Sequence, residues 1–217
     1  MRRLIWGPPL YKTEIDKNLI KELLEYSKLQ NIPNNEYLAG RIENEKLFNL
    51  DSKNYFNDKI MIYIKEYYKN ILVDKKSDIN IDSVGFELES LWVNFQKCNE
   101  YNPPHIHGGD ISFVIYVQMP EEIKKEKAIG TSGNNGAINF SYGDFTYTIK
   151  NSNSLVEKMR NYLQPVTMHN YLPKTADMFI FPSYLTHFVD SFITPNIKRI
   201  SVSGNITLFE NKIKGLL

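Results

Sequence analysis

Histidine is scarce in this 217-residue chain, with four in all, and cysteine is nearly absent, with Cys98 alone. A single thiol excludes an internal disulfide framework and fits a reducing compartment. Neither sign of charge is in excess: Lys+Arg 26 stand against Asp+Glu 25, a net charge of +1. No broad basic field therefore marks nucleic acid as a partner. No apolar run approaches the roughly 18 residues of a membrane span. The start, Met1-Arg2-Arg3-Leu4-Ile5-Trp6-Gly7-Pro8-Pro9, has no apolar stretch of signal length. The expectation is a soluble cytoplasmic protein, in which the Asn-x-Ser/Thr triplets at Asn139 and Asn205 carry no glycosylation meaning. Internal repeats and low-complexity tracts are also missing. Hydrophobic residues, by contrast, make up 42% of the chain, with 14 Tyr and 12 Phe. That is enough for a sizeable core in one compact unit.

The first third reads as helical. Residues 1–12 form an irregular lead-in broken by Pro8 and Pro9. Thr13 then reads as the cap of a helix whose apolar stripe runs Ile15, Leu19, Leu23, Tyr26, with Asn31 and Pro33 ending it. Residues 34–54 are polar and loop-like. Tyr55 to Val73 repeats the helical period through Phe56, Ile60, Tyr63 or Ile64, Tyr67 and Ile71. From Ile79 the period changes to two. On Leu91–Gln96, Leu91, Val93 and Phe95 share one face, and Trp92, Asn94 and Gln96 share the other. On the run Ile111 to Met119, Ser112, Val114, Tyr116 and Gln118 share a face. Pro120 to Gly136 is a charged, then glycine-rich excursion, either a rim over a cleft or a long hairpin loop. Residues 136–142 and 145–149 read as a hairpin turning at Gly143-Asp144, 154–163 as a short helix, and 166–171, 178–181 and 198–209 as strands. The fold class is mainly β with N-terminal helices (α+β): a helical support region over 1–78 and a double-sheet jelly roll over 79–217.

Two of the scarce histidines stand together in Asn102-Pro103-Pro104-His105-Ile106-His107-Gly108-Gly109-Asp110. In an extended segment, residues i and i+2 point to one side, so His105 and His107 can aim both imidazoles at one metal ion. Alone, such a pair is more often two solvated side chains than a metal site. His187 offers a third ligand far along the chain. Arg199 follows twelve residues later in an otherwise apolar strand, with Ser201 on the same face. A cation there is costly without a partner. A guanidinium suits a carboxylate through two parallel hydrogen bonds, whether a ligand's or that of Asp190 or Glu87. His169 has no part in this scheme and reads as a strand or surface residue.

The order histidine pair, long gap, histidine, Arg-x-Ser resembles the 2-oxoglutarate- and Fe(II)-dependent oxygenases, and within them a prolyl-hydroxylase-like group of bacteria and tailed phages. The resemblance runs over roughly residues 90–209, through Trp92-Val93-Asn94, His105-Ile106-His107, Ser112 to Val117, Asp177 to Ser183, His187, and Arg199 to Asn205. It implies a double-stranded β-helix with Fe(II) at one mouth, His105 as first ligand and His187 as the distal one. Arg199 would hold the far carboxylate of 2-oxoglutarate, helped by Ser201 or Tyr116, with Asn94 a further contact. Where relatives have a carboxylate two residues after the first histidine, this chain has His107. Either His107 is the ligand, or Asp110 swings in through the Gly108-Gly109 turn. The implied reaction is hydroxylation of a C–H bond by O2, coupled to decarboxylation of 2-oxoglutarate to succinate, with ascorbate as an accessory. Peptidyl proline, another protein side chain and a small metabolite all stand open as substrate, and a viral chain would act in the host cytoplasm. Rival expectations are a cupin-like metal or small-ligand binder, although the glutamate such proteins place soon after the histidine pair is replaced by Asp110, and a non-catalytic jelly-roll module.

Overall fold

The computed structural model describes residues 7–34, 40–127, 135–143, 154–156 and 167–211. Along these residues run β1 (Tyr11–Glu14), α1 (Lys17–Leu29), β2 (Ile32–Pro33), β3 (Glu45–Leu47), α2 (Leu50–Lys75), β4 (Val84–Gln96), β5 (Asn102–His105), β6 (Ile111–Gln118), α3 (Glu121–Lys125), β7 (Ile138–Ser141), β8 (Met168–Tyr171), β9 (Asp177–Pro182), β10 (Thr186–Val189) and β11 (Arg199–Glu210). The large sheet has the order β1-β9-β6-β11-β4-β3-β2, and the small sheet β5-β10-β7-β8. The two form a double-stranded β-helix, mainly β with N-terminal helices.

The period-two pattern assigns the two faces of the large sheet. Leu91, Val93 and Phe95 of β4, Phe113 and Ile115 of β6, Met178 and Ile180 of β9 and Val202 of β11 pack on Leu19 and Leu23 of α1 and Phe56, Ile60 and Ile64 of α2. Each such side chain contributes about 1.5–3 kcal/mol on burial. The alternate residues point the other way. Val114, Tyr116, Phe179 and Phe181 meet Ile138 and Phe140 of the small sheet. One face thus holds the helices, and the other closes on the small sheet.

Several local expectations give way to long-range pairing. Thr13 does not cap α1: it lies in β1, which pairs with the edge of β9, and Asp16 is the cap, its carboxylate accepting from the backbone N–H of Asn18 (2.8 Å) and Leu19 (3.3 Å). The second helix starts at Leu50, ahead of Tyr55, because the Asn49 side chain accepts from the Ser52 N–H at 2.8 Å. Within the loop-like 34–54 stretch, β3 pairs with β4. With β1 and β2, the region before residue 79 thus lends strands to the large sheet as well as helices. β7 takes β10 and β8 as its two neighbours. The second arm of the expected Gly143-Asp144 hairpin, 145–149, lies outside the described residues, as do 128–134 of the glycine-rich excursion and most of the expected helix at 154–163.

Candidate metal centre and its cavity

Strands β5 and β10 place His105 directly opposite His187. Opposed residues of an antiparallel pair send their side chains to the same face, and the two ring centroids lie 4.3 Å apart. His107 sits just past β5, in a loop pinned through its backbone. Its N–H donates to the Ser183 carbonyl (3.0 Å), the Ser183 N–H to the Asp110 carbonyl (3.1 Å), and the Asp110 N–H to Ile206 of β11 (2.9 Å). The His107 ring centroid stands 4.9 Å from each of the other two, and its Nε2 lies 3.1 Å from Nε2 of His187. Ligating nitrogens of all three rings fall within 4.8 Å of one another.

The tautomers suit a metal. His105 Nδ1–H donates to the Pro103 carbonyl at 2.7 Å, and His187 Nδ1–H to the Leu185 carbonyl at 2.9 Å. Each Nε2 then carries a free lone pair, the arrangement in which carbonyls orient metal-binding imidazoles. Burial, reinforced by the neighbouring rings, pushes His187 down to about 3 and His107 to about 4; burial also lowers His105. All three are therefore neutral at pH 7, as ligation requires. Two adjacent nitrogens at about 2.1 Å from one metal ion lie about 3 Å apart, which matches the His107–His187 separation. The residues present fit a divalent metal.

The histidines open onto a cavity of about 290 Å³ that Asn94, Tyr116, Arg199 and Ser201 also line. Arg199 is 3% exposed. Its Nη1 donates to the Gly136 carbonyl at 2.6 Å, its Nη2 donates to Gln96 Oε1, and its Nε has no partner. The guanidinium carbon lies 5.6 Å from the Tyr116 ring centroid. Neither Asp190 nor Glu87 forms an ion pair with it among the described residues. Burial lowers its pKa, with Tyr116 and Asp190 opposing. Burial also pushes the Tyr116 hydroxyl up to about 12. This is a buried cation in the cavity wall with an unpartnered Nε, and its chemistry fits a carboxylate ligand.

Asp110 is placed elsewhere. Its Oδ2 accepts from the Leu208 N–H at 2.7 Å, it is exposed, and it is not part of the histidine cluster. His169 lies exposed on β8. Sequence reasoning missed two residues that position Arg199. Gln96 shares the inward face already assigned to Asn94, and its Nε2 is held by the Glu100 carbonyl at 2.5 Å. Gly136 adopts φ +70, and a Cβ there would meet Ile123 Cγ2 at 2.7 Å, so glycine is what lets its carbonyl face the guanidinium. A third missed residue is Glu45, which lines the same cavity from β3.

Residues 90–205, which include the three histidines, Asn94, Gln96, Tyr116, Gly136, Arg199 and Ser201, match the family model described as "Putative 2OG-Fe(II) oxygenase". Comparison with curated proteins gives no match. Among solved structures, the fold is similar to an oxidoreductase of the 2OG-Fe(II) oxygenase family from Burkholderia pseudomallei, at 7% identity and TM-score 0.57, covering 92% of this chain and 84% of that one. It is also similar to a Pseudomonas putida prolyl-4-hydroxylase, at 10% identity and TM-score 0.51, covering 92% of each chain. A third is the viral collagen prolyl hydroxylase of Paramecium Bursaria Chlorella virus-1 in its 2OG complex, at 14% identity and TM-score 0.50, covering 92% of this chain and 96% of that one. Such identities carry the fold, and the family match carries the class of enzyme over the cupin-like and non-catalytic readings. The chain belongs to the 2OG-Fe(II) oxygenases, enzymes that use Fe(II), 2-oxoglutarate and O2.

Proposed function

We propose that the protein is a hydroxylase in which His105, His107 and His187 hold Fe(II) and Arg199 holds the distal carboxylate of 2-oxoglutarate. The observation that carries this reading is a fully buried guanidinium, without a carboxylate partner among the described residues, lining the cavity that three metal-competent imidazoles share. When bound, iron with 2-oxoglutarate and O2 supplies oxidative decarboxylation to succinate and CO2 and the oxygen atom that hydroxylates a C–H bond. The chain's own residues orient and exclude. The Pro103 and Leu185 carbonyls fix two imidazoles, and Gln96 and Gly136 fix Arg199 in the cavity wall. Ser201 follows Arg199 two residues along β11, with Tyr116 of β6 and Asn94 of β4 lying opposite Ser201 on the two neighbouring strands. Trp92 packs edge-on against His107 at 5.3 Å, and Phe140 and Phe181 flank His187 at 6.2 and 4.7 Å, which keeps bulk water from the centre.

Three neutral imidazoles leave the full charge of the ion uncompensated, unlike a set with one carboxylate. That charge favours the dianionic co-substrate. Two of the similar structures are named for proline hydroxylation, but their 10% and 14% identities bring the fold and not the substrate. Incubation with Fe(II), ascorbate and 2-oxoglutarate, followed by measurement of succinate, tests the reading. Succinate formed by the wild type and lost in His187→Ala supports it; no succinate and no 2-oxoglutarate binding refutes it.

A further inference from the structure

The cavity has a second polar wall that iron and 2-oxoglutarate do not account for. Glu45 of β3 lies opposite Asn94 of β4, Asn94 opposite Ser201 of β11, and Ser201 opposite Tyr116 of β6. The four form one transverse row on the inner face of the large sheet. Glu45 is 2% exposed and Asn94 6%. The Asn34 side chain anchors Glu45 Oε1 at 2.6 Å and the Asn94 side chain lends the carboxyl a weaker hydrogen bond, but Glu45 Oε2 has no partner at ordinary hydrogen-bond distance. Asn94 Oδ1 and Asn102 Oδ1 are likewise without one. Glu45, Asn94 and Asn102 all line the cavity, although Asn102 Oδ1 lies against Gly40, and Glu45 is the cavity's single carboxylate among the described residues. An unsatisfied buried polar group costs about 1–3 kcal/mol, so this wall is short of donors. Ile42, Leu47 and Trp92 supply apolar surface around it.

We propose that Glu45, with Asn94 and Asn102, is the substrate-recognition subsite of this oxygenase, and that it takes a positively charged side-chain nitrogen group, an ammonium or guanidinium at the end of an aliphatic arm, as distinct from an α-ammonium. The proposal rests on the reading of the cavity as the active site. A carboxyl is the chemistry that selects a cation over a neutral amide, since a buried carboxylate is stable only when paired. Burial raises Glu45 to about 8 in the unliganded protein, against the smaller opposing effects of Asn34 and Asn94, so the empty site lacks a counter-ion. One oxygen anchored and one free is the geometry of a carboxyl that orients toward a ligand. Arg199 gives the cavity its cationic pole, and Glu45 gives it the opposite pole on the β3 side.

Calorimetric titration of the anaerobic, Fe(II)-loaded protein separates the outcomes. 2-Oxoglutarate is titrated first; without its binding, the active-site reading falls and the subsite falls with it. With 2-oxoglutarate bound, the probes are free arginine, free lysine, their neutral counterparts citrulline and norleucine, and blocked Ala-Arg-Ala and Ala-Lys-Ala peptides. At least one cationic probe is expected to bind ten-fold or more tightly than its neutral counterpart, and Glu45→Gln to remove that preference. Binding of a free amino acid assigns a small-molecule source; binding of a peptide alone assigns a protein side chain. Asn94→Asp, which places a second carboxyl in the row, is expected to strengthen cation binding and serves if Glu45→Gln fails to fold. The subsite is overturned if 2-oxoglutarate binds and no cationic probe does, if citrulline and norleucine bind as well as the cations, or if Glu45→Gln keeps the preference.

Discussion

Replacing Arg199 by Met separates the binding role of the guanidinium from its structural one. In the unliganded protein the change removes a buried charge without an ionic partner, which returns several kcal/mol of desolvation. It also strips the Gly136 carbonyl and Gln96 Oε1 of their donor, at about 1–3 kcal/mol each. The two effects oppose, and the unliganded Tm is expected to move little. The liganded protein behaves differently. At about 100 times Kd, 2-oxoglutarate stabilises the wild type by about 2.7 kcal/mol. For a chain of this length each kcal/mol is worth about 2–4 °C, so the expected shift is about 5–11 °C. Charge-assisted hydrogen bonds contribute about 1.5–3 kcal/mol, and losing about 3 kcal/mol weakens binding about 100-fold. At the same ligand concentration the Arg199→Met shift then falls to about 1–2 °C. Arg199→Lys keeps the charge but not the fork and is expected to lie between. Anaerobic thermal denaturation with Fe(II), with and without 2-oxoglutarate, is the assay. A full ligand shift in Arg199→Met refutes the assignment of the distal carboxylate to this residue.

What could be read from sequence was whatever a period of two encodes. The alternation on Leu91–Gln96 and on Ser112–Gln118 separated the helix-packed face from the cavity face. Asn94, Tyr116, Arg199 and Ser201 all line the cavity. The histidines were legible because they are scarce and their spacing is regular. Elements that exist only through a distant partner were not legible. β3 is three residues long and exists through its pairing with β4. Nothing in the polar run around it marks Glu45 as buried, and an isolated glutamate is usually solvated. β1 was hidden in the same way, because the edge of β9 recruits it. β7 has both edges filled by β8 and β10, while Asp144 and 145–149 of the expected hairpin lie outside the described residues. Gly136 offered a turn residue's ambiguity; only the position of Ile123 and the guanidinium shows why glycine is there.

The metal centre and the pH response supply the remaining tests. His187→Ala is expected to cost at least about 100-fold in Fe(II) affinity, since loss of even the outer partners of a metal ligand costs about 10–100-fold; near-wild-type affinity by calorimetry would rule His187 out. Asp110→Asn keeps an oxygen that can accept from the Leu208 N–H and removes only the charge, at a cost of no more than about 0.5–1.5 kcal/mol. Fe(II) affinity is expected to stay within a factor of two, and a large loss would make Asp110 the ligand in place of His107. The metal-free protein should lose stability on both sides of a slightly acidic optimum. His107 and His187 titrate at about 4 and about 3 in the fold, and His105 is also lowered, against about 6.5 in the unfolded chain. Above that value neither state binds the protons. As pH falls below it, the unfolded chain takes up protons that the fold refuses, and each ring then lowers stability by up to about 1.4 kcal/mol per pH unit until its folded pKa is reached. Glu45 has the opposite sign. Its folded pKa of about 8 lies above the ordinary 4.5, so its contribution is complete below 4.5 and is lost as pH rises through 8. Between 4.5 and 6.5 the two slopes oppose, and the three rings outweigh the one carboxyl. Denaturant titrations of the metal-free protein from pH 4 to 9 test this. Glu45→Gln is expected to flatten the limb between 6.5 and 8 and, by removing the opposing slope, to steepen the acid limb between 4.5 and 6.5, whereas saturating divalent metal moves the acid limb lower. An unchanged alkaline limb in Glu45→Gln would mean that the carboxyl is ionised in the fold and already has a counter-ion.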